Sequence, residues 1–226
     1  MSPDPAAALD QGARDRLRRV LDLLAEERAS VSSVVDERAW QVHVVDSITG
    51  LEVPALGAAG RIADIGSGAG FPGLVLAVAL PSAQVDLIES VGRKCEFMRR
   101  ATGEAEIPNA TVRNLRSEEW AAAEGREAYD AVTARAVGRL STLAELASPL
   151  LASGGILVAW KGKRDLEEER QLERASAALA MELEKTLDVG DRAGSEHRHL
   201  HVIRKTGPTP ENLPRRPGMA KKRPRG

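Results

Sequence analysis

The residues best suited to binding chemistry form a glycine-rich segment that begins with an acid. It runs Asp64-Ile-Gly-Ser-Gly-Ala-Gly-Phe-Pro-Gly73. Alternating glycines permit sharp turns and let the backbone approach a ligand that side chains would exclude. Pro72, with its fixed φ angle, suits the first turn of a helix. The segment therefore predicts a loop between a strand and a helix that holds a nucleoside-containing ligand. The residues placed at that ligand are Gly66, Ser67, Gly68, Gly70 and Phe71.

Two acids help to choose the ligand. The spacing Gly68-x-Gly70-x-x-Gly73 alone also fits a dinucleotide site. Asp64, predicted at the lip of the loop, would repel a pyrophosphate, whereas S-adenosylmethionine carries a sulfonium and an ammonium group and no phosphate. Glu89, predicted at the end of the next strand, can accept hydrogen bonds from both ribose hydroxyls in either cofactor. Asp64 thus favours S-adenosylmethionine, Glu89 indicates an adenosine in either cofactor, and a nicotinamide enzyme remains the alternative.

A parallel sheet is needed to position these residues. From Arg61 onward, short apolar runs alternate with longer helical stretches, which is the pattern of an α/β protein with crossover helices. The predicted strands are residues 61–65, 84–88, 110–112, 131–134, 156–159, 183–189 and 201–204. The predicted helices between them are residues 73–80, 93–103, 140–151 and 166–181. We expect a Rossmann-like fold with a seven-stranded, mostly parallel sheet.

Helical patterns precede the sheet region, and a basic segment follows it. Apolar residues at helical spacing predict a helix over residues 6–27 and a second over 37–53. Residues 204–226 are rich in Pro and Gly and hold eight Lys or Arg against one Glu, which predicts a flexible tail. The predicted organisation is an N-terminal helical extension (1–55), a catalytic domain (56–205) and a basic C-terminal tail (206–226).

The composition limits the class of protein. A chain of 226 residues can bury one substantial core. Its 32 Lys and Arg against 33 Asp and Glu mean that any affinity for nucleic acid depends on local charge. One cysteine, Cys95, excludes a disulfide framework and thiolate-rich metal sites, so we expect no metal and a reducing compartment. The start has no secretory pattern and the longest apolar run is residues 74–80, so we expect a cytoplasmic protein with no membrane contact.

The order of these segments resembles one known family. The loop, the following Glu89-Ser-Val-Gly-Arg-Lys94 and the upstream His43-Val-Val-Asp-Ser47 are similar to the ribosomal RNA small-subunit methyltransferase G family, also called glucose-inhibited division protein B. The resemblance spans residues 37–217. It implies a class I S-adenosylmethionine-dependent enzyme that methylates N7 of a guanine in 16S ribosomal RNA, presented as RNA, as the small subunit or as an assembly intermediate. Val42 departs from the family's basic residue, so no RNA contact is assigned to the N-terminal region.

The resemblance also assigns roles to residues. Leu115-Arg-Ser-Glu-Glu-Trp120 is similar to the family's stretch beside the adenine, which places Arg116, Ser117 and Glu118 at the cofactor. Thr133-Ala-Arg-Ala136 is similar to the segment with the family's arginine after the fourth strand, which makes Arg135 the candidate for catalysis and for cofactor contact. An arginine paired with a nearby acid for structural reasons is the alternative. The basic side chains assigned to RNA are Arg93, Lys94, Arg135, Lys161, Arg198, Arg215 and Arg216.

Missing motifs narrow the reaction. Cys95 lies in a helical packing pattern, which argues against a cysteine nucleophile for cytosine, and Arg135-Ala-Val-Gly138 lacks the proline-rich motif of amine methyltransferases. Guanine N7 has a lone pair and no proton, so its attack on a methyl group needs no general base. An aromatic content of 3% argues against a stacking platform for unpaired bases. A small-molecule methyltransferase or oxidoreductase on the same fold and an RNA-binding protein without catalysis remain as alternatives. We expect a monomer.

Overall fold

The predicted strands pair into one sheet in the computed structural model, which describes residues 5–27, 31–32, 34–190 and 197–226. They are β1 (Arg61–Ile65), β2 (Gln84–Ile88), β3 (Ala110–Arg113), β4 (Tyr129–Arg135), β5 (Leu151–Lys161), β6 (Met181–Asp188) and β7 (His199–Lys205). Their order is β3-β2-β1-β4-β5-β7-β6, and only β7 runs antiparallel to its neighbours among these strands. The prediction of a Rossmann-like, seven-stranded, mostly parallel sheet is confirmed.

Helices cover both faces of this sheet, which explains why the central strands β1, β2, β4 and β5 are buried along most of their length. The described α-helices are α1 (Gln11–Glu26), α2 (Asp46–Ile48), α3 (Pro54–Gly57), α4 (Gly73–Ala79), α5 (Gly92–Glu104), α6 (Ser117–Ala121), α7 (Leu140–Ala147), α8 (Leu166–Leu179) and α9 (Met219–Lys222). One core cluster joins Leu17 of α1 to Leu74 of α4. The second joins Leu143 of α7 to Leu172 of α8. The N-terminal helix thus shares its core with the sheet.

The strand order reverses direction between β1 and β4. Two strands lie on the β2 side of β1, and four lie on the β4 side. The carboxyl ends of β1, β2 and β4 therefore meet beside a crevice that helices do not fill, where ligands of open α/β sheets bind. The glycine loop follows β1 directly, so the topology brings the loop, Glu89 and Arg135 to the same edge.

The predicted helix over residues 37–53 is interrupted. A π-helix spans Trp40–Val45, α2 follows, and a 3₁₀-helix spans Thr49–Glu52. Polar contacts at the junctions accompany these changes: Ser47 Oγ donates to His43 O at 2.5 Å, and Thr49 Oγ1 donates to Asp46 O at 2.6 Å. Trp160 Nε1 of β5 also donates to Asp46 O at 2.9 Å. Side-chain bonds of this kind compete with a regular helical ladder, and helical periodicity alone does not reveal them.

Two further boundaries differ from the prediction. The helix predicted to reach residue 151 ends at Ala147, and β5 begins at Leu151. Pro149 has no N–H to continue the helix. The short helix α6 was not predicted; Glu119 Oε2 accepts from Arg116 N at 2.9 Å at its start.

The predicted flexibility of the C-terminal segment is wrong. Leu213 and Ala220 are 2% and 3% exposed, and α9 packs against α7. The segment has few apolar groups, but two ion pairs hold it, and each has one buried partner: Lys205 pairs with the exposed Glu127, and Arg215 pairs with the buried Glu145. Their partners are 78 and 70 residues away in the chain, so no local pattern announces them. Within the described ranges, no helix is both long and apolar enough to cross a membrane.

Candidate active site

The glycine loop turns sharply between β1 and α4. Gly66, Gly68 and Gly70 have φ angles of +65°, +62° and +94°. A Cβ on Gly70 would lie 2.4 Å from Leu74 Cδ1 and would also be strained by the φ angle. The loop therefore passes directly over the first turn of α4, where only glycine fits.

The backbone N–H groups of the loop are directed into the protein. Those of Gly66 and Ser67 donate to Ile88 O, and those of Gly70 and Phe71 donate to Ser67 O. Gly68 N donates to Glu89 Oε2 at 3.1 Å. A dinucleotide site of this fold offers such groups to the pyrophosphate. Here they are already occupied, which disfavours the nicotinamide alternative.

Asp64 holds the glycine loop in place through hydrogen bonds in the protein interior. It is fully buried, and its carboxylate accepts hydrogen bonds from Gly73 N at 3.1 Å and from Thr133 Oγ1 at 2.8 Å. Burial raises the pKa of Asp64 to about 6, and these hydrogen bonds oppose the rise. The predicted position at the lip of the loop is wrong. Asp64 shapes the loop and satisfies the first N–H of α4.

A cleft of about 400 Å³ opens beside the loop, within the size range of cofactor pockets. The residues predicted for the cofactor that line it are Gly66, Glu89, Arg116, Ser117 and Glu118. Glu89 is 8% exposed, and its Oε1 accepts from Val91 N at 2.9 Å. Each carboxylate oxygen keeps a further lone pair for a ligand hydroxyl. Glu89, predicted to bind the ribose, and residues 116–118, predicted to lie beside the adenine, thus meet in one cleft.

The cleft also has walls that the sequence did not indicate. They come from the segment after β4, from α7 and from the C-terminal segment, and include Val137, Thr142, Gly218, Lys221 and Lys222. Ser67 is buried under the loop, where its Oγ donates to Asp64 O at 2.7 Å. Gly68, Gly70 and Phe71 do not line this cleft. Of the five loop residues predicted to contact the ligand, only Gly66 therefore lines the cleft.

Phe71 instead faces a second cluster, built on the π-helix. The His43 ring stacks on the Phe71 ring with centroids 4.5 Å apart, and the Arg135 guanidinium lies 5.8 Å from the centroid of the same ring. His43 Nδ1 is 3.3 Å from Arg135 Nη2. Burial lowers the pKa of His43, and the nearby Arg135 cation acts in the same direction. A neutral imidazole and a guanidinium therefore flank one aromatic ring.

Asp46 holds this cluster together. Its side chain is 2% exposed, and its two oxygens form ion pairs with Arg135 Nη1 at 2.9 Å and with Arg198 Nε at 2.7 Å. Arg135 Nη1 also donates to Val42 O at 2.9 Å. One buried carboxylate thus fixes two arginines that come from β4 and from the segment before β7. Arg135 does not line the cleft and lies next to Phe71.

A profile of the family described as rRNA small subunit methyltransferase G matches residues 17–200 of the chain. That range contains the glycine loop, both acids, the Arg135 cluster and the π-helix. The chain belongs to the rRNA small subunit methyltransferase G family.

Individual relatives agree with this family assignment. The Ribosomal RNA small subunit methyltransferase G of Rubrobacter xylanophilus is 44% identical over 186 residues, which are 80% of this chain and 71% of that protein. The protein of the same name from Bacillus subtilis is 33% identical over 207 residues, covering 90% of this chain and 87% of the relative. A solved structure described as a SAM dependent methyltransferase from Aquifex aeolicus has a TM-score of 0.58 at 17% identity, covering 80% of this chain and 99% of that one. The last similarity shows the shared fold.

In this family member, the cations predicted to bind RNA fall into two groups. Four form ion pairs with carboxylates: Arg135 and Arg198 with Asp46, Lys161 with Glu168, and Arg215 with Glu145. The remaining three form no ion pair with any described residue: Arg93, Lys94 and Arg216. Arg93 and Arg216 are exposed, and Lys94 is half-buried at the start of α5. Only the second group has its charge free for a phosphate.

The family's chemistry is not accompanied by a metal centre in the described part of the chain. No three His, Cys, Asp or Glu side chains there are grouped to hold a metal ion. Cys95 is buried in α5, as its helical pattern indicates, and its Sγ lies 3.2 Å from Glu89 O. Burial raises the pKa of its thiol, which favours the unreactive protonated form.

Proposed function

We propose that this chain transfers the methyl group of S-adenosylmethionine to N7 of a guanine in 16S ribosomal RNA. Membership of the rRNA small subunit methyltransferase G family is the observation that carries the proposal. The cleft supports the cofactor, and the absence of a reactive thiolate at Cys95 supports an acceptor atom that needs no covalent catalysis. The choice of N7 rests on the family resemblance and on the chemistry of the purine.

The donor set of the cleft fits S-adenosylmethionine. Glu89 offers free lone pairs to ribose hydroxyls, while Arg116, Ser117 and Glu118 line the end assigned to the adenine. The loop offers little to a pyrophosphate because the N–H groups of all its glycines, of Ser67 and of Phe71 already have acceptors. When bound, the cofactor supplies an electrophilic methyl group on a sulfonium. The protein's own contribution is then to align an acceptor with that group and to exclude water.

We assign the acceptor side to the cluster at Phe71. The Arg135 guanidinium is held in one orientation by Asp46 and Val42 O, so its remaining N–H groups project in a fixed direction. A single guanidinium N–H directed at O6 of a guanine would orient the base and leave N7 free to attack, whereas a bidentate contact with O6 and N7 would block the attacking atom. Because His43 is uncharged, Arg135 is the cation that would orient the base as positive charge moves from sulfur to guanine.

We propose that the cations without an ion pair contribute more to binding RNA phosphates than the cations that are paired with carboxylates. Arg93, Lys94 and Arg216 can approach phosphates without breaking an ion pair with a described residue. Lys161, Arg198 and Arg215 would first have to leave a carboxylate, which costs more than a surface contact returns. The substrate is then 16S RNA or a small-subunit particle recognised by its backbone and shape, with one guanine presented to the pocket. A monomeric protein suffices for this scheme.

Borohydride reduction followed by aniline tests the atom that is methylated. N7-methylguanine becomes cleavable under this treatment, so small-subunit RNA incubated with the protein and S-adenosylmethionine is expected to break at one position. Arg135→Ala is expected to lower the rate of methylation about a hundredfold, since it removes the group that aligns the base. Arg139→Ala, at an exposed arginine four residues on, is the matched control.

The outcomes separate the competing functions. If radiolabelled methyl enters the RNA but aniline does not cleave it, the methylated atom is not N7. Methylation of free guanosine as fast as that of RNA indicates a small-molecule enzyme, because remote contacts would then contribute nothing. Cofactor binding without methylation of RNA, of small-subunit particles or of free guanosine indicates a binding protein.

A further inference from the structure

The chain beyond β7 is fixed by a buried lysine. Lys205 Nζ donates hydrogen bonds to Glu127 Oε1 at 2.8 Å, to Leu151 O at 2.6 Å and to Thr209 Oγ1 at 2.7 Å. Its side chain is fully buried. Burial lowers the pKa of Lys205, and the bond to Glu127 opposes the change. Loss of any partner would leave buried polar groups unpaired, so the segment that follows leaves the sheet in one direction.

A second ion pair fixes the next part, residues 213–225, which we term the C-terminal strap. Arg215 binds Glu145 of α7 through two parallel contacts, from Nε to Oε1 at 2.5 Å and from Nη2 to Oε2 at 2.6 Å. The Glu145 side chain is 2% exposed. Arg215 Nη2 also donates to Arg223 O at 2.8 Å. This one side chain therefore ties both ends of the turn that contains α9, and bidentate pairing fixes its orientation as well as its distance.

The strap connects two walls of the cleft. Gly218 N donates to Glu118 Oε1 at 2.7 Å on the wall formed by α6. On the α7 side, Thr142 Oγ1 donates to Ala220 O at 3.4 Å. Backbone and side chains between Gly218 and Lys222 line the cleft. The strap thus closes a side of the cleft that the sheet and its helices leave open.

We propose that the strap is the outer wall of the cofactor cleft and that Glu145 is a positioning residue for cofactor binding, acting through Arg215. The inference rests on the proposed assignment of this cleft to S-adenosylmethionine. Glu145 does not line the cleft, so it reaches the cofactor only by holding the strap. A wall that retains a bound ligand changes the dissociation rate more than the association rate.

Glu145→Gln tests the proposal in the full chain, because it removes the charge and keeps the side-chain shape. Calorimetry and stopped-flow fluorescence are expected to show the Kd and the dissociation rate of S-adenosylmethionine rising about tenfold, a change of one decade in affinity. Arg215→Gln leaves Glu145 its longer contact to Arg225 Nε at 3.8 Å, so it should raise both values by the same or a smaller factor. The double variant should be no worse than Glu145→Gln, because the pair acts as a unit. Glu184→Gln is the matched control, since Glu184 lies on edge strand β6 and its replacement breaks an ion pair to Arg204 of β7.

Limited trypsin digestion of the unaltered protein gives a second measurement that does not depend on how a variant folds. Lys221 and Lys222 are exposed cleavage sites in the strap, and Arg170 on α8 is an exposed reference site. S-adenosylhomocysteine at about ten times its Kd is expected to slow cleavage in the strap about tenfold, since binding stabilises the strap as it is packed against α6 and α7. Cleavage at Arg170 should be unchanged.

The outcomes distinguish this inference from the proposed function. Unchanged cofactor affinity in folded Glu145→Gln and Arg215→Gln variants overturns the role of the strap. Bound S-adenosylhomocysteine that leaves strap cleavage unchanged, or that slows cleavage at Arg170 equally, overturns it as well. If the unaltered protein binds neither S-adenosylmethionine nor S-adenosylhomocysteine, the proposed function fails first.

Discussion

Asp64→Asn is the substitution that tests the buried support of the glycine loop. The carboxylate accepts hydrogen bonds from Gly73 N at 3.1 Å and from Thr133 Oγ1 at 2.8 Å. Asparagine has nearly the same shape. Its oxygen can accept from Gly73 while its amide nitrogen donates to the Thr133 hydroxyl, which is an acceptor as well as a donor. Both contacts are expected to survive, so the main loss is the charge.

The pKa of Asp64 sets the size of the expected effect. Burial raises this pKa from 3.8 to about 6. An acid whose pKa is higher in the folded protein stabilises the fold fully below its unfolded pKa, and this stabilisation is lost as pH rises through the folded pKa. From about pH 5 to about pH 7.5, linkage predicts a loss of about 1.4 kcal/mol from this one group in the unaltered protein. The variant has no such loss, so its free energy of unfolding should gain that amount relative to the unaltered protein.

Urea unfolding at the two pH values measures this difference. Asp64→Ala serves as the contrast, because it leaves Gly73 N and the Thr133 hydroxyl without their acceptor and should be about 1–3 kcal/mol less stable than Asp64→Asn at either pH. Asp22→Asn, at an exposed acid of α1, is the control for a simple change of net charge. S-adenosylmethionine affinity is expected to fall more in Asp64→Ala than in Asp64→Asn. If the free energies of unfolding of Asp64→Asn and the unaltered protein differ by the same amount at both pH values, the reasoning is refuted.

Three further substitutions test other parts of the site. Gly70→Ala places a Cβ 2.4 Å from Leu74 Cδ1 at a φ of +94°, so calorimetry should detect no cofactor binding even where circular dichroism shows a folded chain. Asp46→Ala leaves two partly buried guanidinium groups without their carboxylate and should lower the free energy of unfolding by about 3 kcal/mol in urea titrations; an equal loss in Asp22→Ala would show that the loss does not come from these ion pairs. Replacing Arg93 and Lys94 together by Gln should reduce the salt dependence of RNA binding by about one to two units of slope, and a slope that stays the same would remove α5 from the RNA-binding surface.

The contiguous parts of the site were predictable from the sequence. The loop and Glu89 follow the mostly buried strands β1 and β2, because a parallel sheet covered on both faces disfavours polar residues at its centre. Residues 116–118 follow the short edge strand β3. Carboxyl ends of parallel strands share one edge, so residues that follow successive strands meet there. The order of the strands along the chain is therefore enough to predict that the loop, Glu89 and residues 116–118 lie close together.

The parts that depend on distant partners were not predictable. Asp64 was expected at the lip of the loop, but Thr133 lies 69 residues away and draws the carboxylate inward. Glu145 carried no signal at all within α7, because its partner Arg215 belongs to a segment whose composition is typical of disorder. Composition counts apolar groups, and it does not detect a few partly buried ion pairs that hold a segment in place.

The strap joins the cofactor cleft to the exposed charges beside it. The backbone of Ala220 is held against α7, while the next two side chains, Lys221 and Lys222, are exposed. An RNA phosphate that immobilised these lysines would also hold the wall closed and so raise the affinity of the cleft for its ligand. Thermodynamic reciprocity then requires the bound cofactor to raise RNA affinity by the same factor. Dissociation of either ligand would accordingly lower the affinity of the protein for the other.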